Sequence, residues 1–295
     1  MRYTFRFLQE HLLDNRLLDA AEFLSCAKSQ LVSPPIFIVG APKCGSTLIY
    51  QLLILNYEFS FIHNFSAISP SLPASLTLLA KPVFRYPSDL LKITHGFMPG
   101  LWSPNEAGAL MSKWFGHKIS GRPEKSIAKI QRIFQAPFLN KNTYNSGRIE
   151  RILERLPNTV FLHIKREPLE NIISNYLQVR KSPRVKFGFY PETNLRFNNL
   201  QEQESWRVLE INRRIEILAQ TRNFHYVRVH YEDLCLDTES VLRNIVRTLE
   251  SFNIKITKRG NIIPKLSPRS SRKELSQEEI ILLRQSLDKF KKILT

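Results

Sequence analysis

The sequence predicts a three-layer α/β domain in which an open parallel sheet carries helices on both faces. IFIVG at 36–40, four bulky apolar residues closed by glycine, and TVFLHIK at 159–165 read as strands buried on both sides. Each leads into a stretch with apolar residues at helical spacing, and no repeat or low-complexity tract interrupts the alternation. The 295 residues therefore read as one domain. It divides into a helical appendage at 1–33, an α/β core at 34–254, and a basic loop with a closing helix at 255–295.

In chain order, residues 2–28 predict one or two amphipathic helices broken near Asp14 and Asn15, a packing or dimer-forming element in preference to a membrane-surface helix. After the first strand, Ser46 and Thr47 open a helix through Leu48, Ile49, Leu52 and Leu53, and EFSFIH at 58–63 reads as the next strand. Residues 70–122 are rich in Pro, Gly and Ser, with short helical stretches, and suit insertions that shape an acceptor pocket. A helix at 148–156 precedes the second buried strand. Pro168 starts another helix through Arg180, with Leu169, Ile172, Ile173 and Tyr176 on one face. Further on come a long helix at 200–220, a strand and turn in FHYVRVHYEDL, and helices at 237–250 and 277–294.

Forty-three Lys and Arg against 26 Asp and Glu leave a net charge of +17, so an anionic partner is expected. Nucleic acid is one candidate, yet no helix-turn-helix, zinc or aromatic-basic platform pattern accompanies the charge. No apolar run approaches the length of a membrane span. Three widely spaced cysteines, Cys26, Cys44 and Cys235, form neither a disulfide framework nor a zinc pattern. Acidic residues within the apolar pattern of the first 20 residues argue against a leader peptide, and a cytoplasmic location is expected.

The chemistry concentrates in GAPKCGST at 40–47, a glycine turn between strand and helix of the kind that aims backbone N–H groups at a phosphate. Gly40 and Gly45 have the spacing of an ATP- or GTP-binding loop, which is why a fold like that of the P-loop nucleotide hydrolases is expected. Ser46, however, stands where the nucleotide-binding lysine belongs, and the only lysine of the segment is Lys43. The strand on which a magnesium-binding aspartate would stand ends in Lys165 and Arg166. Such a loop suits a phosphate held without a metal; an atypical kinase or NTPase is the rival reading.

Pro42, Lys43, Cys44, Gly45, Ser46 and Thr47 resemble the 5′-phosphosulfate loop of the sulfotransferases that use 3′-phosphoadenosine 5′-phosphosulfate (PAPS), approximately P-K/R-S/T-G-T/S-T, with Cys44 in place of a hydroxyl residue. Arg166, Pro168 and Ser174 resemble the same family's R-x-P-x-x-x-x-x-S signature for the 3′-phosphate. Tyr231, in YEDL, resembles its adenine-side tyrosine. The resemblance implies sulfonate transfer from PAPS to a hydroxyl or amine of a small-molecule or carbohydrate acceptor. Lys43 would act on the leaving oxygen and a general base on the acceptor. Glu106 is the first candidate for that base, in a segment resembling the H-G…P-x-E of bacterial members, in the first turn of a helix begun near Pro104. His95 is the second and His63 the third. Lys141 is a candidate further cation, and the basic loop with Lys265 and Arg269 a candidate cover for the 3′-phosphate.

Overall fold

A computed structural model describes residues 15–92, 98–117, 119–183 and 187–294. Helix α1 (Arg16–Cys26) begins at Asn15, whose side chain accepts the Leu17 N–H; the expected helix before it and His95 lie outside the described residues. The core runs β1 (Ile36–Val39), α2 (Ser46–Asn56), α3 (Pro73–Ala80), α4 (Gly108–Phe115), α5 (Pro123–Phe134) and β2 (Leu139–Lys141). It continues with α6 (Ile149–Arg155), β3 (Val160–Lys165), α7 (Pro168–Lys181), α8 (Leu200–Thr221), β4 (His225–His230), α9 (Tyr231–Leu236), α10 (Thr238–Ser251) and α11 (Gln277–Leu294).

The four strands are all parallel in the order β2-β1-β3-β4, with Ile36 opposite both Leu139 and Val160, and Val160 opposite His225. Because side chains alternate across a strand, β1 feeds two cores. Phe37 and Val39 join Phe161, Ile172, Ile211 and Leu283 on one face, whereas Ile36 and Ile38 join Leu52, Leu162, Leu242 and Ile245 on the other. Phe37 lies among Phe115, Phe138 and Phe161 with ring centroids 5.9–6.3 Å away. Burying a ring of this kind contributes about 1.5–3 kcal/mol. Three layers result, as the alternation of segments predicts.

Two expectations are corrected. Residues 58–63 are not a strand; with Tyr57 they form a segment that meets three partners in turn through isolated bridges. Tyr57 bridges Lys258, Ser60 bridges Phe138, and His63 bridges Pro104. A continuous ladder would need a longer neighbour, and β2 stops after three residues, where Asn142 accepts the Tyr144 N–H and turns the chain. β2 itself, LNK, is too short and polar to carry a strand signal. The helix expected near Pro104 begins only at Gly108, after Ala107 in the left-handed region (φ 51°). Glu106 therefore precedes the helix and is not in its first turn.

Two buried imidazoles make the fold acid-sensitive. His163 sits between the Tyr226 hydroxyl (2.7 Å) and Asn212 Oδ1 (2.9 Å), and His63 in a nest of Phe65, Phe84 and Trp102; burial lowers each pKa to about 4. An unfolded histidine takes a proton near pH 6.5 while the folded ones stay neutral until about pH 4. Stability is therefore undiminished above pH 6.5 and falls as pH drops from 6.5 to 4, by on the order of 3 kcal/mol for each histidine. The urea midpoint is expected to fall between pH 7 and pH 4.5; an unchanged midpoint would mean that the imidazoles are not held neutral.

Candidate functional site

The loop between β1 and α2 is shaped by three residues with positive φ, Gly40 (149°), Lys43 (64°) and Gly45 (98°). Lysine enters the left-handed region at a cost, so the loop is held from outside. Asn171 and Asn175, both buried on α7, donate from Nδ2 to the Pro42 carbonyl at 2.7 and 2.6 Å. Ser146 accepts the Gly40 N–H (3.0 Å) and donates to the Gly40 carbonyl (2.8 Å). A Cβ on Gly45 would lie 2.4 Å from Tyr231 Cδ2, so the loop backbone rests directly on that ring. Gly45 caps α2 with no side-chain acceptor, which leaves the positive end of the helix dipole to whatever the loop holds.

Arg166, one residue past β3, donates from Nη1 to the Lys43 carbonyl (3.0 Å) and from Nη2 to the Arg269 carbonyl, with its guanidinium 4.9 Å from the Tyr231 ring centroid. Its Nε is buried without a partner, as is Asn171 Oδ1. The Arg269 N–H donates to the Tyr231 hydroxyl (3.4 Å), and Arg272 pairs with Glu170 on α7 at 2.6 Å. The basic loop before α11 thus meets the Arg166–Tyr231 corner through the Arg269 backbone. Ser174 is half-buried on the α7 face that carries Asn171, Asn175 and Gln178, away from Ile172 and Ile173.

The Lys43 ammonium lies 3.5 Å from Gln178 Oε1. Partial desolvation, followed by the charges of Arg166, Lys141, Lys181 and Arg269, lowers its pKa. That many cations around one loop repel one another, and a polyanion placed among them would relieve the repulsion. Cys44 points the other way: its side chain is buried against Gly40 and burial pushes its thiol pKa up. The residue that departs from the hydroxyl pattern therefore faces the core, where a small hydrophobe suits the packing.

On the far side of the loop Lys141, buried at the end of β2, pairs with Glu106. Asn142 donates to the Glu106 carbonyl (3.0 Å), and Asn105, beside it, donates from its backbone to Ile62 (2.7 Å). The broken edge segment thus positions Glu106 and joins it through Lys141 to the Lys43 neighbourhood. Tyr50, fully buried on α2, has a hydroxyl without a partner, and the Glu106 charge contributes to its raised pKa after burial. His63 has no exposed surface; its Nδ1 accepts the Ser66 N–H at 3.0 Å and its Nε2 has no partner. It lies in a packed aromatic wall beside Pro104 and offers no face to an acceptor.

Sequence reasoning missed the residues that brace the loop. Asn171, Asn175 and Gln178 recur at helical spacing on the polar side of α7, a pattern present in the sequence but silent about what it meets. Arg207 carried no signal. Buried on α8, it pairs with Glu204 (2.9 Å) and donates to the carbonyls of Phe187 and Phe189 (2.9 Å for the latter). Those two carbonyls flank Gly188 (φ 73°), whose absent Cβ would meet Pro42 Cγ at 2.7 Å and Thr143 Oγ1 at 2.9 Å. The segment therefore rests on the loop's outer rim.

Residues 34–251 match the model of the sulfotransferase family. The omega-hydroxy-beta-dihydromenaquinone-9 sulfotransferases Stf3 of Mycobacterium bovis and Mycobacterium tuberculosis are each 25% identical over 257 residues, covering 76% of this chain and 64% of theirs. The chain thus spans less than two thirds of the length of these curated relatives. Among solved structures, sulfotransferase STF9 from Mycobacterium avium aligns with a TM-score of 0.52 at 14% identity, over 93% of this chain and 73% of that one. Sulfotransferase STF1 from Mycobacterium tuberculosis aligns at 0.50 and 15% identity, over 92% and 76%. At these identities the likeness is one of fold, a P-loop-like parallel sheet between helices.

Proposed function

The chain belongs to the sulfotransferase family, and we propose that it moves a sulfonate group from PAPS to a hydroxyl or amine of a small-molecule or carbohydrate acceptor. The observation that carries this reading is the braced loop, with Lys43 and Gly45 in left-handed geometry before an uncapped helix, and Arg166 bonded to its backbone. The residues fit such a donor. Arg166 keeps a buried Nε–H without a partner, a donor suited to a phosphate oxygen, and the missing Cβ of Gly45 lets the backbone lie flat on Tyr231. Lys165 and Arg166 at the end of β3, where a magnesium-binding carboxylate would stand, support transfer without that metal.

When bound, the donor supplies the sulfonate for an in-line transfer through a loose transition state. The Lys43 ammonium, with the amides of Gly45, Ser46 and Thr47, neutralises charge as it grows on the bridging oxygen. Pro42 and Cys44 complete the loop, Arg166 and Ser174 hold the 3′-phosphate, and Tyr231 borders the adenine. The Glu106 carboxylate, oriented by Lys141, takes the acceptor's proton; His95 is the second candidate for that step. The curated relatives act on a hydroxylated dihydromenaquinone by name, and a hydroxyl acceptor is the closest class for this chain.

Thermal stabilisation by 3′-phosphoadenosine 5′-phosphate, set against ADP and ATP–Mg²⁺, tests the reading. At a hundredfold excess over Kd, a ligand that binds only the folded chain adds about 2.7 kcal/mol, which raises Tm by about 5–10 °C. A shift with the bisphosphate and none with ATP–Mg²⁺ is the expected result. A shift with ATP–Mg²⁺ alone would make the chain a phosphoryl-transfer enzyme.

A further inference from the structure

Helix α1 turns two acidic side chains inward. Its inward side carries Glu22, buried, whose carboxylate accepts the N–H groups of Ala74 (2.8 Å) and Ser75 (3.0 Å) at the start of α3, and Asp19, paired with Lys113 at 2.6 Å. A carboxylate at a helix start satisfies donors that the helix leaves open, so the polar residues are held inward. Leu18 and Cys26 share that inward side, but two leucines are left outside: Leu17 is 79% exposed and Leu24 73%, seven residues apart on one face. Helix α3 repeats this, with Leu79 69% exposed and Val83, just beyond its end, 59%. Both helices pack on α5 and on each other, so the sides turned from α5 form one surface.

The charges around that surface have one sign. Across residues 16–32 and 73–85 the only acidic residues are Asp19 and Glu22, both committed inward, while Arg16, Lys28, Lys81 and Arg85 are exposed. Lys129 of α5 adds a further cation, donating to the Ser25 carbonyl at 2.9 Å. Apolar side chains rimmed by cations match the boundary between headgroups and acyl chains of an anionic bilayer. A second copy of this chain matches poorly, because a two-fold interface would set each of these cations against its own kind. From this we infer that the outer face of α1 and α3 docks on an anionic lipid surface, lying on the bilayer and not crossing it. The sequence favours a packing or dimer-forming appendage here; the inward turn of Asp19 and Glu22 is what reverses that preference.

Co-sedimentation of the full chain with vesicles of phosphatidylcholine alone, or with one part in about three of phosphatidylglycerol, tests this. Binding to the anionic vesicles and not to the neutral ones is expected. The triple variant Leu17→Gln, Leu24→Gln, Leu79→Gln and the double variant Lys28→Glu, Lys81→Glu should each weaken it at least about tenfold, with circular dichroism and Tm unchanged because all five side chains are at the surface. Three results would overturn the inference. One is wild-type protein that stays in the supernatant. Another is binding that survives the triple variant, which would reduce it to diffuse charge. The third is a light-scattering mass that halves in the triple variant while vesicle binding persists, which would make the face a self-association surface.

Discussion

Lys43→Ala is expected to leave a folded protein that still takes up the donor product and turns over at least a hundredfold more slowly. A cation placed where charge develops contributes about 10²–10³ in rate, and its effect falls on the transition state more than on the ground state. The Lys43 pKa is lowered by desolvation and by Arg166, Lys141, Lys181 and Arg269, and those four cations still attract a polyanion after the lysine is removed. Arg166→Ala should behave differently. It removes charge-assisted bonds worth about 1.5–3 kcal/mol, so Kd for 3′-phosphoadenosine 5′-phosphate should rise by about 10–150-fold. It also frees the Lys43 carbonyl and the Arg269 carbonyl that the guanidinium now joins. Calorimetric titration beside kcat for the two variants checks the division. Wild-type values in both would remove the phosphate loop from the chemistry.

Glu106→Gln is expected to spare donor binding, within about threefold, and to lower kcat by about 10²–10⁴, the usual worth of a positioned general base. The variant also leaves Lys141 facing a neutral amide in a buried place, so stability must be read in parallel. Glu106→Asp separates the two effects, since it restores a carboxylate to Lys141 and sets it back by one methylene. Lost turnover in the glutamine variant with partial recovery in the aspartate variant assigns the base. Full activity in the glutamine variant would leave the carboxylate as nothing more than the counter-ion of Lys141.

The three-layer sheet was legible because β1 is apolar at every position and β3 opens on the apolar run Val160–Leu162, patterns that suit burial on both faces. Helices α7, α8, α10 and α11 were legible for a similar reason, each showing a periodic face and a polar or proline start, whereas α9 (Tyr231–Leu236), a short helix, stands where the sequence reads only as a turn. The segment at 58–63 has the composition of a strand, yet its partners are Lys258, Phe138 and Pro104, which no local pattern reveals. His63 illustrates the same limit from the side of the site. As a sequence position it is a histidine at a strand end, and only the packing of Phe65, Phe84 and Trp102 turns it into a core residue.

What the sequence by itself determined is the local chemistry of the phosphate loop: glycines where φ must be positive, a lysine within reach, and a basic strand end eight positions before a serine. These are short-range facts, fixed by backbone sterics and by the residues adjacent in the chain. Only the tertiary structure decided what holds the loop and what faces it. Asn171, Asn175 and Ser146 reach Pro42 and Gly40 across more than a hundred positions, and Lys141 meets Glu106 across 35. Such pairs form because burial strips water from polar groups and obliges them to find one another wherever the chain has brought them. The outward leucines of α1 follow from the same physics, since Glu22 and Asp19 find their partners on the side that faces α3 and Lys113.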